Sequence, residues 1–171
     1  MSALIIYTTT HGTTEKAALF IKKRWKEESV ALNVKYDKLP AFESFDTIII
    51  GVSVHMGTIP RKMRQILAKE EAAFLEKKLG LFMCCMYENI EAQLQFEQTF
   101  PESLRAHAHA QSFFGGELLF SEMNLFEKVI AKKVAGSSED VSKLNYEEIE
   151  RFIKNMQMEH PSSPDDRILQ H

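Results

Sequence analysis

Ala3-Leu4-Ile5-Ile6-Tyr7 runs straight into Thr8-Thr9-Thr10-His11-Gly12-Thr13-Thr14, and a helical pattern begins where the threonines end. The first five residues form a continuous apolar run, which suits a short strand buried on both faces. The helical stretch puts Ala17, Ala18, Ile21 and Trp25 on one face and Lys22, Lys23, Lys26 and Glu27 on the other. A strand, a turn rich in hydroxyls and a helix N-terminus, in that order, make a place for an anion. The first-turn N–H groups lack intrahelical partners and lie at the positive end of the helix dipole. The hydroxyls of Thr9, Thr10 and Thr14 can add donors, and Gly12 lets the backbone curl close. The turn has no Gly-Lys-Ser/Thr to reach a triphosphate and its magnesium, and no GxGxxG to hold a pyrophosphate, so its chemistry suits one terminal phosphate. The competing reading is a Thr-rich turn that merely caps a helix.

Outward from this junction the chain alternates strand and helix. Ala31 to Tyr36 reads as a strand with Leu32, Val34 and Tyr36 on one side, and Phe45 to Val54 as a strand buried on both faces around Ile48-Ile49-Ile50-Gly51-Val52. Thr58 and Pro60 open a helix expected to run through Met63, Ile66, Leu67 and Phe74. Leu79 to Met86 is a further buried strand, Ile90 to Arg105 a helix interrupted by Pro101, and His109 to Phe120 a fifth strand containing Gly115-Gly116. Two helical segments follow, Met123 to Val134 and Tyr146 to Met158, the latter with Asn145 as its N-cap, and Gly136-Ser137-Ser138-Glu139-Asp140 forms a polar loop between them. The expected organisation is one domain over residues 1–158 and a disordered tail over 159–171. Such alternation predicts an α/β fold, a three-layer, doubly wound, five-stranded parallel sheet. Ligands of such sheets bind beyond the carboxyl ends of the strands, which directs attention to the loops after the first, third and fourth strands.

The 171 residues, 44% hydrophobic, are enough for one domain with a real core. A formal net charge of -3 argues against a dedicated nucleic-acid binder, and equally against a strongly acidic carrier that docks on basic partners. Cys84 and Cys85 are adjacent within an apolar run. They have neither disulfide nor metal-ligand spacing, and they read as two buried small hydrophobes on opposite faces of a strand in a reducing compartment. The N-terminus has no basic region of a signal peptide, and Leu79 to Tyr87 is too short to span a bilayer. A cytoplasmic protein, with peripheral membrane contact still open, is the expectation.

Tyr7-Thr8-Thr9-Thr10-His11-Gly12-Thr13-Thr14-Glu15 resembles the FMN phosphate loop of flavodoxins, whose pattern at this junction is Ser/Thr-x-Thr/Arg-x-Gly-x-Thr. The resemblance implies strand order 2-1-3-4-5, with FMN at the switch point and its phosphate held by Thr9, Thr10, His11, Gly12, Thr13 and Thr14. It further implies that the loop Gly51 to Thr58 flanks the isoalloxazine, with Ser53, Val54, His55, Met56 and Gly57 as contacts and Gly57 free to flip its peptide. Within Met86-Tyr87-Glu88-Asn89, Tyr87 either stacks on the ring or packs as an ordinary aromatic. His55 is either a donor near the flavin edge or a surface histidine, and His11 is equally open beside the phosphate.

A second likeness is to the menaquinone-dependent protoporphyrinogen oxidases of the flavodoxin-like branch. Phe113-Phe114-Gly115-Gly116-Glu117-Leu118, Phe126-Glu127-Lys128-Val129-Ile130 and the stretch from Gly136 to Ser142, with Asp140-Val141-Ser142, carry it. It implies an oxidoreductase in heme biosynthesis that passes electrons from a porphyrinogen to a quinone. Arg61, Lys62 and Arg64 would then clamp a carboxylated substrate or a phosphate, or they are simply a solvated helix face. Two departures stand out. Leu119-Phe120-Ser121-Glu122-Met123-Asn124 lies where that branch is basic and rich in Tyr and Arg, and His55-Met56 where it favours an Arg-aromatic pair. A flavodoxin-type electron carrier without its own substrate, and a regulatory domain without flavin, are the alternatives.

Overall fold

The computed structural model describes residues 2–9, 11–54, 58–86, 89–118, 141–142 and 144–158. Strands β1 (Ala3–Tyr7), β2 (Ser29–Asn33), β3 (Thr47–Ser53), β4 (Lys78–Cys84) and β5 (Ala110–Phe113) form one sheet in the order β2-β1-β3-β4-β5. Every adjacent pair in it is parallel. Connecting them are α1 (Thr13–Arg24), a single 3-10 turn (Phe42–Ser44), α2 (Arg61–Lys69), α3 (Glu71–Leu75), α4 (Asn89–Thr99) and α5 (Glu102–His107). A two-stranded antiparallel ribbon, β6 (Glu117–Leu118) with β7 (Val141–Ser142), and the helix α6 (Tyr146–Gln157) complete the described chain. The doubly wound parallel sheet and its order agree with the sequence reading.

Three layers follow from strands that are apolar on both faces. Leu4, Ile6, Ile48, Ile50 and Val52 face one core, beneath Met63 and Leu67 of α2, Phe74 of α3, Phe96 of α4 and Leu104 of α5. Ile5, Ile49 and Phe82 face the other, beneath Ala17, Ala18 and Ile21 of α1 and Ile149, Phe152 and Met156 of α6. Alternate residues of β1 therefore serve different cores, so a one-residue slip in register would exchange the two sets. Cys84 and Cys85 split in the same way, one to each core, as the sequence reading expects.

Several boundaries differ from expectation. The second strand ends at Asn33, not Tyr36. The Asn33 side chain accepts from Lys35 N at 3.0 Å, while its carbonyl accepts from Tyr36 N and Asp37 N. A local Asx turn outcompetes the ladder there, and Tyr36 is 73% exposed instead of lining a strand face. The third strand, Thr47–Ser53, is shorter at both ends than Phe45 to Val54, and the loop expected from Gly51 begins only at Val54. The helix expected through Phe74 breaks at Glu70, whose φ of -101° and ψ of 10° separate α2 from α3. The fourth strand stops at Cys84, before Met86.

Pro101 interrupts the next helical stretch as expected. It occupies the cap position of α5, where a missing N–H costs nothing. The fifth strand ends at Phe113 because Gly115 turns the chain with φ 74°, and Glu117–Leu118 then pairs with Val141–Ser142 instead of extending the sheet. Of the Asp140-Val141-Ser142 stretch, Val141 and Ser142 are thus strand residues, while Asp140 lies outside the described residues. Asn145 caps α6 as expected, its side chain accepting from Glu148 N at 3.0 Å. The expected helix Met123 to Val134, the polar loop 136–140 and the tail 159–171 also lie outside the described residues.

Candidate functional site

The carboxyl ends of the central strands are tied to one another, so their loops leave the sheet together. Thr8 N donates to Gly51 O at 3.2 Å, Val54 N to Cys84 O at 3.2 Å and Cys85 N to Gly115 O at 3.0 Å. Gly116 passes so close to the β4 end that a Cβ on it would lie 2.8 Å from the Cys85 carbonyl carbon. Parallel pairing thereby continues beyond the strands and brings three loops to one edge.

The first of these loops is a preformed turn. Gly12, at the cap of α1, has φ 85°, a conformation that a side chain would strain. Its N–H donates to Thr9 Oγ1 at 2.9 Å, and its carbonyl accepts from Lys16 N at 2.9 Å. Having no side chain, Gly12 cannot close over the first-turn amides that follow it. Thr13 and Thr14 are buried, and among the described residues the Thr14 hydroxyl has no hydrogen-bond partner. A buried, unsatisfied hydroxyl carries a desolvation penalty of about 1–3 kcal/mol. An anionic acceptor at the N-terminus of α1 would relieve that penalty. The chemistry of the turn therefore fits a phosphate, to which first-turn amides, the helix dipole and a buried hydroxyl are suited.

Tyr7 and Glu15 flank the same turn. Tyr7 OH donates to Glu15 Oε1 at 2.9 Å across the strand–helix junction. Burial, the hydrogen bond to Glu15 and the charges of Glu15 and Asp37 all push the Tyr7 phenol well above its usual pKa. This pair was not singled out in the sequence. Tyr7 reads there as one more residue of the apolar strand and Glu15 only as the last residue of the loop motif, and only the bend between strand and helix joins them.

Of the residues singled out in the sequence, Thr9, His11, Gly12, Thr13 and Thr14 come together in this one turn. Ser53 and Val54 lie half-buried at the end of β3, between the ends of β1 and β4. Thr10, His55, Met56, Gly57 and Tyr87 lie outside the described residues. Arg61, Lys62 and Arg64 are exposed in the first turn of α2, which contains no acidic residue. Cations at a helix N-terminus oppose the dipole, so this turn gains nothing in stability from them. Lys62 also borders a groove of about 680 Å³ between the β2–β3 connection and α2, floored by Leu39, Phe42 and Ile66. Among the described residues no helix is long and apolar enough to cross a membrane.

Comparison with known proteins agrees with this fold. The family model for the flavodoxin domain matches residues 4–145. No curated protein matches the sequence. Among solved structures, a short-chain flavodoxin associated with a PDU bacterial microcompartment is similar at 14% identity and TM-score 0.55, over 92% of this chain and 95% of that one. Flavodoxin 1 from Bacillus cereus is similar at 14% identity and TM-score 0.51, over 91% and 95% of the two chains. A cysteine-to-serine mutant of the flavodoxin from Pseudomonas aeruginosa is similar at 11% identity and TM-score 0.53, over 92% and 100%. At these identities the structures establish the fold. The family match, over most of the chain, means that the protein belongs to the flavodoxin-domain family.

Proposed function

We propose that this flavodoxin-domain chain binds FMN at the carboxyl edge of its sheet and acts in electron transfer. The buried, unpartnered Thr14 hydroxyl at the open N-terminus of α1 is the observation that carries the reading. The turn offers the amides and hydroxyls that one phosphate needs, and it lacks a pyrophosphate fingerprint, which favours FMN over FAD. Bound FMN would supply the redox chemistry, by transfer of one or two electrons at its ring. Thr9 fixes the turn by accepting from Gly12 N, the first-turn amides and the Thr14 hydroxyl would hold the phosphate, and Ser53 and Val54, at the end of β3, would be the described residues nearest the ring. The three carboxyl-edge loops set how much water reaches the ring.

The test is a titration of the apo-protein with FMN, FAD and riboflavin, followed by flavin fluorescence. FMN should bind most tightly. Replacing Thr14 by Ala should weaken FMN by about tenfold to a hundredfold, the worth of a hydrogen bond to a charged acceptor, with riboflavin nearly unaffected. A protein that binds no FMN at micromolar concentrations overturns the reading.

The first turn of α2 favours a second reading. In it the chain is an oxidoreductase similar to the quinone-dependent protoporphyrinogen oxidases, taking electrons from a carboxylated porphyrinogen and passing them to a quinone. Three exposed cations without a local acid, directly after the second loop, support an anionic substrate. Anaerobic mixing of the FMN-loaded protein with protoporphyrinogen, then with a menaquinone analogue, separates the readings. Flavin reduction followed by reoxidation supports the enzyme. No reduction, with rapid exchange with a ferredoxin reductase, supports the carrier. The adjacent, buried thiols of Cys84 and Cys85 suit a reducing, cytoplasmic setting for either role.

A further inference from the structure

We propose that Tyr7 is a positioning residue that keeps the phosphate end of the site open, by holding the Glu15 carboxylate away from the N-terminus of α1. The inference rests on the FMN reading above. Glu15 is the third residue of α1 after the cap Gly12. At that position a glutamate ordinarily folds back to accept the N–H of the cap residue, and its charge is drawn to the positive end of the dipole. Either attraction would put a carboxylate where a phosphate has to bind.

Two contacts prevent this. The Gly12 N–H is already taken by Thr9 Oγ1 at 2.9 Å, so the fold-back acceptor site is filled by a neutral hydroxyl. The Glu15 carboxylate is taken by Tyr7 OH, also at 2.9 Å. Tyr7 is a stiff anchor for it. The residue is 4% exposed at the end of β1, and its carbonyl is fixed by Val34 N at 2.9 Å. Its phenol stays protonated through the working pH range and so remains a donor. The Thr14 hydroxyl next to Glu15, buried and without a partner among the described residues, is an independent sign that the turn keeps its donors for a ligand.

The experiment is a double-mutant cycle on the apo-protein, titrated separately with FMN and with riboflavin. Tyr7→Phe frees the carboxylate and should weaken FMN by about tenfold while riboflavin changes less than about twofold, because only the phosphate meets the added charge. Adding Glu15→Ala to Tyr7→Phe should restore FMN affinity to near that of the wild type. Glu15→Ala alone should bind FMN at least as tightly as the wild type. A double variant as weak as Tyr7→Phe makes Tyr7 a packing residue only and overturns the proposal. So does a tenfold loss of FMN in Glu15→Ala, which also decides the matter if Tyr7→Phe does not fold. A wild type that does not distinguish FMN from riboflavin overturns the FMN reading itself, and the proposal with it.

Discussion

Phe82 of β4 lays its ring in the space that a Cβ on Gly51 of β3 would need. The two residues are register partners, and Gly51 is also paired with Tyr7 of β1. The absent side chain lets the ring lie across the sheet, stacked on Phe114 at 4.7 Å between centroids and edge-on to Phe152 at 6.1 Å. Gly51→Ala forces that cluster apart, and overpacking of this kind costs about 1–3 kcal/mol. In a domain of this size each kcal/mol lowers Tm by about 2–4 °C. Calorimetry should show a loss in that range. Phe82→Leu should reduce the additional loss from Gly51→Ala, and strict additivity of the two changes would disprove the conflict.

The same pair shows how far the sequence can be read. The β-branched run Ile48-Ile49-Ile50 states plainly that β3 is buried on both faces, and a parallel, helix-covered sheet follows from it. What periodicity does not reveal is that the ring of Phe82, on the next strand, fills the space of a Cβ at position 51. Likewise Gly115 ends β5 through a positive φ, while in sequence it reads as a tolerated strand glycine. Within the site, the threonines and Gly12 declare themselves because helix-start chemistry is local. The Tyr7–Glu15 contact does not, since it needs the angle between strand and helix.

Thr14 and Thr47 provide an internal control. Both are 0% exposed and both have hydroxyls without partners among the described residues, but Thr14 opens α1 at the carboxyl edge and Thr47 starts β3 at the opposite end of the sheet. Valine has nearly the shape of threonine and removes the unsatisfied group. Thr47→Val should therefore leave FMN affinity unchanged and leave stability equal or higher by about 1 kcal/mol. Thr14→Val should raise the stability of the apo-protein in the same way while weakening FMN by about tenfold or more. Denaturant midpoints and FMN titrations of both variants check this. Equal FMN losses in the two would refute the role given to Thr14.

The Tyr7 phenol gives a signature at alkaline pH. Its pKa is raised in the folded state relative to an ordinary tyrosine at 10.0, so the folded protein holds this proton after the unfolded chain has released it. The contribution is fully present below about pH 10 and declines as pH rises toward the folded-state value. Stability of the wild type should fall above pH 10 more steeply than that of Tyr7→Phe, so that the difference between them shrinks. Urea midpoints from about pH 8 to 11 measure it. Parallel curves would show that the phenol titrates normally.

The exposed cations of the first α2 turn offer a test in which stability and function move in opposite directions. Arg61, Lys62 and Arg64 sit at the positive end of that helix dipole with no acidic residue among them. Replacing Arg61 and Lys62 by Glu should therefore stabilise the helix, by about 0.3–1 kcal/mol for each favourable charge at low ionic strength. If these cations guide an anionic reductant to the flavin, the same change should raise the half-saturating concentration of a carboxylated substrate several-fold and leave the limiting rate unaltered. Added salt should reproduce the effect in the wild type, since exposed charges more than about 10 Å apart are screened at about 0.1 M. A neutral electron donor provides the contrast, because its kinetics should respond neither to the substitutions nor to salt. A gain in stability with no kinetic change would assign the three residues to solvation alone and leave the carrier reading in place.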